Sequence, residues 1–154
     1  MTLYFAYGSN MSRILMRRHC PAAREIGTAT LDGHRFVITA DGYASIAAAS
    51  GETVHGVLWR LTPRDLAALN IYESLDSGDY ARAILTVRTG RRRVAALTYV
   101  ARMRGEGRPK PGYLDVVLVA ARDWQLPDGY VRALARWSPT RWRGARAVES
   151  GEIA

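Results

Sequence analysis

Between Gly27 and Leu61 four β-like runs follow one another with only short glycine turns between them. Gly27 to Asp32 reads as a strand, Asp32-Gly33 as a turn, and His34 to Ala40 as a second strand carrying Phe36, Val37, Ile38 and Thr39. Asp41-Gly42 turns the chain again. Ala44 to Ala49 is a small-residue strand ended by Ser50-Gly51, and Val54 to Leu61 is apolar at Val57, Trp59 and Leu61. Strands joined by tight turns pair with their chain neighbours. The expected fold is therefore α+β, a mixed, largely antiparallel sheet closed into a barrel, with short helices at its flanks.

The helices are marked by their ends. Ser12 can cap a helix from Arg13 to His19, which Pro21 stops. Thr62 is an N-cap, Pro63 fits the first helical position, and Asp65 suits the positive end of the helix dipole, so Pro63 to about Tyr72 is helical with Leu66 and Leu69 inward. Ser77-Gly78-Asp79 reads as a loop. Tyr80 to Arg88 and Arg92 to Val100 form a hairpin about Thr89-Gly90-Arg91. Gly105 to Gly112 is a loop, Tyr113 to Ala121 a helix, and Leu126-Pro127-Asp128 opens a last helix ending near Trp137. With the N-terminal run Leu3 to Tyr7, the count is about six or seven strands and three or four helices. Trp124, Trp137 and Trp142 are expected to pack the C-terminal helices. A length of 154 residues suits one domain with a real core, read as residues 1–137, with 138–154 as a tail.

Several function classes drop out. No apolar run is long enough for a membrane helix, and the N-terminus does not read as a signal peptide. Cys20 is the one cysteine, which excludes an internal disulfide framework and fits a reducing cytoplasm. The net charge is +8, and Lys110 is the one lysine among 22 basic residues. The arginines are scattered and no nucleic-acid motif accompanies them, so they read as solvated surface and nucleic acid is not an expected partner. His19, His34 and His55 stand apart without ligand spacing, so no metal site is expected. Ser9 follows a strand, but Tyr7-Gly8-Ser9-Asn10-Met11 is not Gly-x-Ser-x-Gly and no histidine is marked as its base. Neither a P-loop nor a dinucleotide-binding glycine pattern occurs.

Glu73 is the carboxylate that stands out. It lies just beyond the predicted helix, among Leu69, Ile71, Tyr72 and Leu75. Partial burial would push a carboxylate's pKa up and suit it to general-base work on an ammonium group. A solvated residue at a helix end is the other reading, and the residues alone leave both open.

Phe5-Ala6-Tyr7-Gly8-Ser9-Asn10-Met11 resembles the N-terminal signature of the gamma-glutamylcyclotransferase family, the group that includes the AIG2-like proteins. Gly56-Val57-Leu58-Trp59-Arg60-Leu61-Thr62, the following helix, Tyr72-Glu73 and Gly78-Asp79-Tyr80 are similar to its second block. Pro109-Lys110-Pro111-Gly112-Tyr113-Leu114 through Leu126-Pro127-Asp128-Gly129-Tyr130 resembles its third. The blocks come in the family's order and span about residues 3 to 130.

The resemblance implies a compact mixed barrel with flanking helices. It also implies a cofactor-independent acyl transfer, in which a small γ-glutamyl amide becomes 5-oxoproline and a free amine. Glu73 matches the catalytic acid/base. Tyr7, Gly8, Ser9 and Asn10 match the loop that grips the glutamyl moiety, and Tyr80 and Tyr113 match aromatic positions of the pocket. The family often has Asp where this chain has Asn70 and Gly where it has Ser74, which bears on the turn that holds Glu73. The leaving amine is open, with residues 41–53 and 103–113 expected to select it. A monomer or homodimer is expected. The competing class is a non-catalytic module that binds a metabolite or protein on the same fold.

Overall fold

The computed structural model describes residues 1–77, 80–102 and 105–138, with backbone alone for 74–77. The tail expected beyond 138, including Trp142, lies outside the described residues, as do Gly78-Asp79 and the side chain of Ser74.

The elements in chain order are β1 (Thr2–Ala6), a 3-10 turn (Ser9–Met11), α1 (Arg13–His19), β2 (Arg24–Ile38), β3 (Ala44–Leu61), α2 (Pro63–Ser77), β4 (Tyr80–Thr89), β5 (Arg92–Ala101), α3 (Tyr113–Asp123) and α4 (Asp128–Ala135). The strands close into a barrel in the order β1-β3-β2-β4-β5. Every pair is antiparallel except the closing one, where β1 lies parallel to β5 at Tyr4 and Leu97.

The barrel has fewer strands than the turn signals suggest. Gly27–Asp32 and His34–Ala40 are one strand, β2, which ends at Ile38, and β3 runs unbroken through Ser50-Gly51. Asp32-Gly33 is a register shift in the ladder, not a turn. Asp32 still pairs with Thr53 and His34 with Ala48, so Gly33 alone faces Ala49 to Glu52. Gly33 takes φ +77, a backbone state that only glycine adopts cheaply. Beside the bulge, Arg88 on β4 grips Asp32 through both oxygens (2.8 and 2.9 Å), and Thr53 donates to the same carboxylate at 3.1 Å. Composition at such a site signals a backbone departure, and whether it becomes a turn or a bulge depends on partners distant in sequence.

Phe5, Ile38, Val54, Val57, Leu58 and Leu61 are sealed from solvent and form the barrel core, each burial worth about 1.5–3 kcal/mol. Gly56 makes this packing possible: a Cβ there would sit 2.8 Å from the Phe5 ring and 2.3 Å from the Ala6 carbonyl oxygen. Trp124 and Trp137 pack as expected, Trp124 edge-on to Trp59 and Trp137 edge-on to Phe36.

Helix α2 begins with a reciprocal cap. The Asp65 N–H donates to Thr62 Oγ1 at 3.1 Å, while the Thr62 hydroxyl and N–H donate to Asp65 Oδ2 at 2.9 and 3.3 Å. Asp65 is buried, so it serves as a cap and a tertiary contact, accepting the Ala22 N–H at 3.4 Å. The helix runs on to Ser77, beyond the expected end at Tyr72, which places Glu73 inside the helix. Among the described residues, no helix is long and apolar enough to cross a membrane.

Candidate active site

β1 delivers the chain into the barrel mouth, where the 3-10 turn follows at once. Two indoles hold that turn from below: Trp59 Nε1 donates to the Asn10 carbonyl at 3.1 Å, and Trp124 Nε1 to the Met11 carbonyl at 2.8 Å. Within the turn, the Met11 N–H reaches Gly8 O at 3.1 Å and the Ser12 N–H reaches Ser9 O at 2.9 Å. The Ser12 side chain then caps α1 by accepting the Leu15 N–H at 3.2 Å. The Arg13 guanidinium lies 3.7 Å over Trp124 and ties α1 to Glu25 and Asp123.

The turn lines a cavity of about 270 Å³. Tyr7, Gly8, Ser9, Asn10, Glu73, Tyr80 and Tyr113, the residues marked in the sequence, all border it. Tyr4 and Tyr99 also border it, and sequence reasoning missed both. Tyr4 lies in the strand that enters the loop, three residues before Tyr7, a spacing that strand alternation would place on the opposite face. No signal marks Tyr99 either.

Glu73 and Asn10 meet at the cavity wall. Asn10 Nδ2 donates to Glu73 Oε2 at 3.0 Å and to the Tyr4 hydroxyl oxygen at 3.1 Å. A carboxylate only accepts, so it fixes which end of the Asn10 amide faces it. Both amide hydrogens are then spent on protein. Asn10, marked in the sequence as part of the loop that grips the glutamyl group, holds Glu73 through its NH₂. Its carbonyl oxygen Oδ1 is buried and has no hydrogen-bond partner among the described residues.

The other tyrosines are also anchored. The Tyr7 hydroxyl donates to the Tyr99 carbonyl at 2.5 Å, Tyr80 to the Ala44 carbonyl at 2.5 Å, and the Tyr99 hydroxyl to Asn70 Oδ1. The Tyr113 oxygen accepts the Ala44 N–H at 3.2 Å. That oxygen also explains Gly8, where a Cβ would lie 2.9 Å from it. Gly8 thus makes room for a protein hydroxyl at the cavity wall.

Burial raises the pKa of every one of these phenols. Tyr4 and Tyr7 stand well above the usual 10.0, chiefly by desolvation; for Tyr4 the Glu73 charge comes next, and for Tyr7 the neighbouring Tyr80 and Tyr113. Tyr80 and Tyr99 are raised by burial and then by neighbours that include Glu73. Tyr113 rises to about 12 through burial, moderated by hydrogen bonds from Ala44 and Ser9. All of them stay protonated at neutral pH, so the phenols around the carboxylate are neutral, and those of Tyr7, Tyr80 and Tyr99 spend their protons on protein acceptors.

The outer wall is apolar and aromatic, with Leu15, Tyr43, Tyr72 and Val116. Tyr43 comes from the turn between β2 and β3, to which the 105–112 segment is bonded through Gly107 N–H to Ile38 O and Lys110 N–H to Gly42 O. The two segments expected to select the leaving amine therefore converge here, although most of 41–53 is strand. Among the described residues, no group of three or more His, Cys, Asp and Glu side chains is placed to hold a metal ion.

Residues 4–126 match the family model described as gamma-glutamyl cyclotransferase, AIG2-like. The gamma-glutamylcyclotransferase of Mus musculus is 28% identical over 98% of this chain and 86% of that protein. The Homo sapiens protein of the same name is 26% identical over the same shares. The crystal structure of an uncharacterized protein from Homo sapiens superposes with a TM-score of 0.79 at 26% identity, covering 86% of this chain and 85% of that one. A solved gamma-glutamyl cyclotransferase superposes with a TM-score of 0.80 at 24% identity, over 97% of this chain and 99% of that one, and speaks to the fold.

Proposed function

The chain belongs to the gamma-glutamyl cyclotransferase, AIG2-like family, and from that premise we propose that it converts a γ-glutamyl amine or γ-glutamyl amino acid to 5-oxoproline and a free amine. The single observation that carries the reading is the Asn10 Nδ2 to Glu73 Oε2 bond of 3.0 Å, which fixes a carboxylate at the wall of a tyrosine-lined cavity.

The substrate carries both nucleophile and electrophile. Its α-amine can attack its own γ-carbonyl and close a five-membered lactam, once the amine is neutral and the chain is folded back on itself. Glu73 takes a proton from the α-ammonium. The unpartnered Asn10 Oδ1 offers that ammonium a second acceptor beside the carboxylate. The freed lone pair forms the C–N bond to the γ-carbon, and the carbonyl π pair moves to oxygen. When that pair returns, the bond to the departing nitrogen breaks as Glu73 passes its proton to the amine; the ring nitrogen, which still carries two hydrogens, loses the second to the regenerated Glu73 carboxylate and from there to the free amine, which departs as ammonium. The Gly8–Ser9 segment holds the glutamyl end folded and supplies the proximity that an extended chain lacks.

The test is a panel of γ-glutamyl amines and γ-glutamyl amino acids, with 5-oxoproline measured for each. Release from at least one member supports the reading. Binding of panel members without release would instead favour a non-catalytic module on this fold.

A further inference from the structure

Three buried tyrosines, Tyr4, Tyr7 and Tyr99, and two half-buried ones, Tyr80 and Tyr113, border the cavity near Glu73, and three of their hydroxyl protons are already committed. Tyr7, Tyr80 and Tyr99 donate to protein acceptors, and the Tyr113 oxygen is held by Ala44 and Ser9. Tyr4 differs. Its oxygen accepts from Asn10 Nδ2, so its own proton must point elsewhere, and its hydroxyl donates no hydrogen bond among those of the described residues. The residue is 4% exposed and its ring is fixed edge-on against Tyr99, with centroids 5.8 Å apart. A buried hydroxyl rarely leaves its donor unused, and the open side available to this one is the cavity it lines.

We propose that Tyr4 is a catalytic residue whose hydroxyl donates a hydrogen bond to the γ-carbonyl oxygen of a γ-glutamyl substrate as that oxygen becomes an oxyanion. The assignment rests on the cyclotransferase reading. As the α-amine adds to the γ-carbon, the carbonyl π pair becomes a full charge on oxygen, and it returns to re-form C=O as the amine leaves. Tyr4 keeps its proton throughout, because burial disfavours the phenolate, as does the Glu73 charge while that carboxylate is ionised. Proton transfer and oxyanion stabilisation thus fall to two groups. Asn10 spaces them by giving one amide hydrogen to each, and an Asp at that position would lose both bonds.

Tyr4→Phe tests this, since it removes the hydroxyl and keeps the ring and its contact with Tyr99. With a turned-over γ-glutamyl compound, kcat should fall by about 10²- to 10³-fold. KM should stay within a few-fold, the unfolding transition should remain cooperative, and the loss should be equal for leaving amines of low and high basicity. An undiminished kcat would overturn the assignment. So would a loss that grows with the basicity of the leaving amine, which would make Tyr4 its proton donor. The same would hold for a loss confined to KM. No 5-oxoproline from the wild-type protein on any substrate would remove the cyclotransferase reading and this assignment with it, whereas wild-type turnover with an unimpaired Tyr4→Phe removes the assignment alone.

Discussion

The segment from Tyr7 to Met11 and the C-terminal turns of α2 meet at the Asn10–Glu73 bond, and they are held by different kinds of contact. The first is fastened through its backbone: two indole N–H groups take the Asn10 and Met11 carbonyls, and its own peptide bonds close the 3-10 turn. The second is held through side chains, with Tyr99 on Asn70, Asn10 on Glu73, and His19 and Tyr72 in ring contact at 4.0 Å, while Ile71 beside them is exposed. Changes to the backbone-fastened half should therefore register in stability, and changes to the side-chain-held half in turnover.

The largest contrast is expected at Glu73. Glu73→Gln should cut kcat by about 10²- to 10⁴-fold, the range of a lost general acid/base. The thermal midpoint should move little, because Gln still offers an oxygen to Asn10. Calorimetry beside a 5-oxoproline assay reads both, and an undiminished rate would remove Glu73 from the mechanism.

Trp59→Phe probes the other half. It strips the Asn10 carbonyl of its donor and should cost about 1–3 kcal/mol, read as a midpoint lowered by several degrees. A midpoint equal to that of the wild type would mean the turn is not held from below as described.

A smaller effect is expected from Asn70→Ala, which leaves the Tyr99 hydroxyl without its acceptor. A loss of about 1 kcal/mol of positioning corresponds to a roughly five-fold lower kcat. Asn70→Asp keeps an acceptor and should lie nearer the wild type. Equal rates for both would show that Tyr99 does not position α2.

The smallest effect concerns the anchored start of α2, where Cys20 is buried and its thiol points to the Asp65 carbonyl at 3.5 Å. Burial first, and the Asp65 charge second, push this thiol from 9.0 to about 11. The unfolded thiol ionises near pH 9 while the folded one stays neutral, so its contribution is whole below pH 9 and is lost as pH rises toward 11. The midpoint difference between the wild type and Cys20→Ala should shrink over that window, and a constant difference would contradict it.

The residue pattern was enough to read the helix starts at Ser12 and Thr62, because a cap is a contact between residues three apart. It was also enough for the hairpin of β4 and β5 and for a barrel of mostly antiparallel neighbours, since both follow from short connections. The motif order further indicated that the strand end at Tyr7 and the carboxylate at Glu73 belong to one family pattern. Local chemistry could not say that Asp32-Gly33 is a bulge inside a long strand, since that depends on Thr53 and on Arg88 from another strand. It could not show that Gly8 clears space for Tyr113, or that Asn10 divides its amide between Glu73 and Tyr4. These arrangements join residues as far apart as Gly8 and Tyr113. They exist only once the barrel has closed, because a hydrogen bond's partner is set by distance and direction in space while sequence constrains only the nearest few residues.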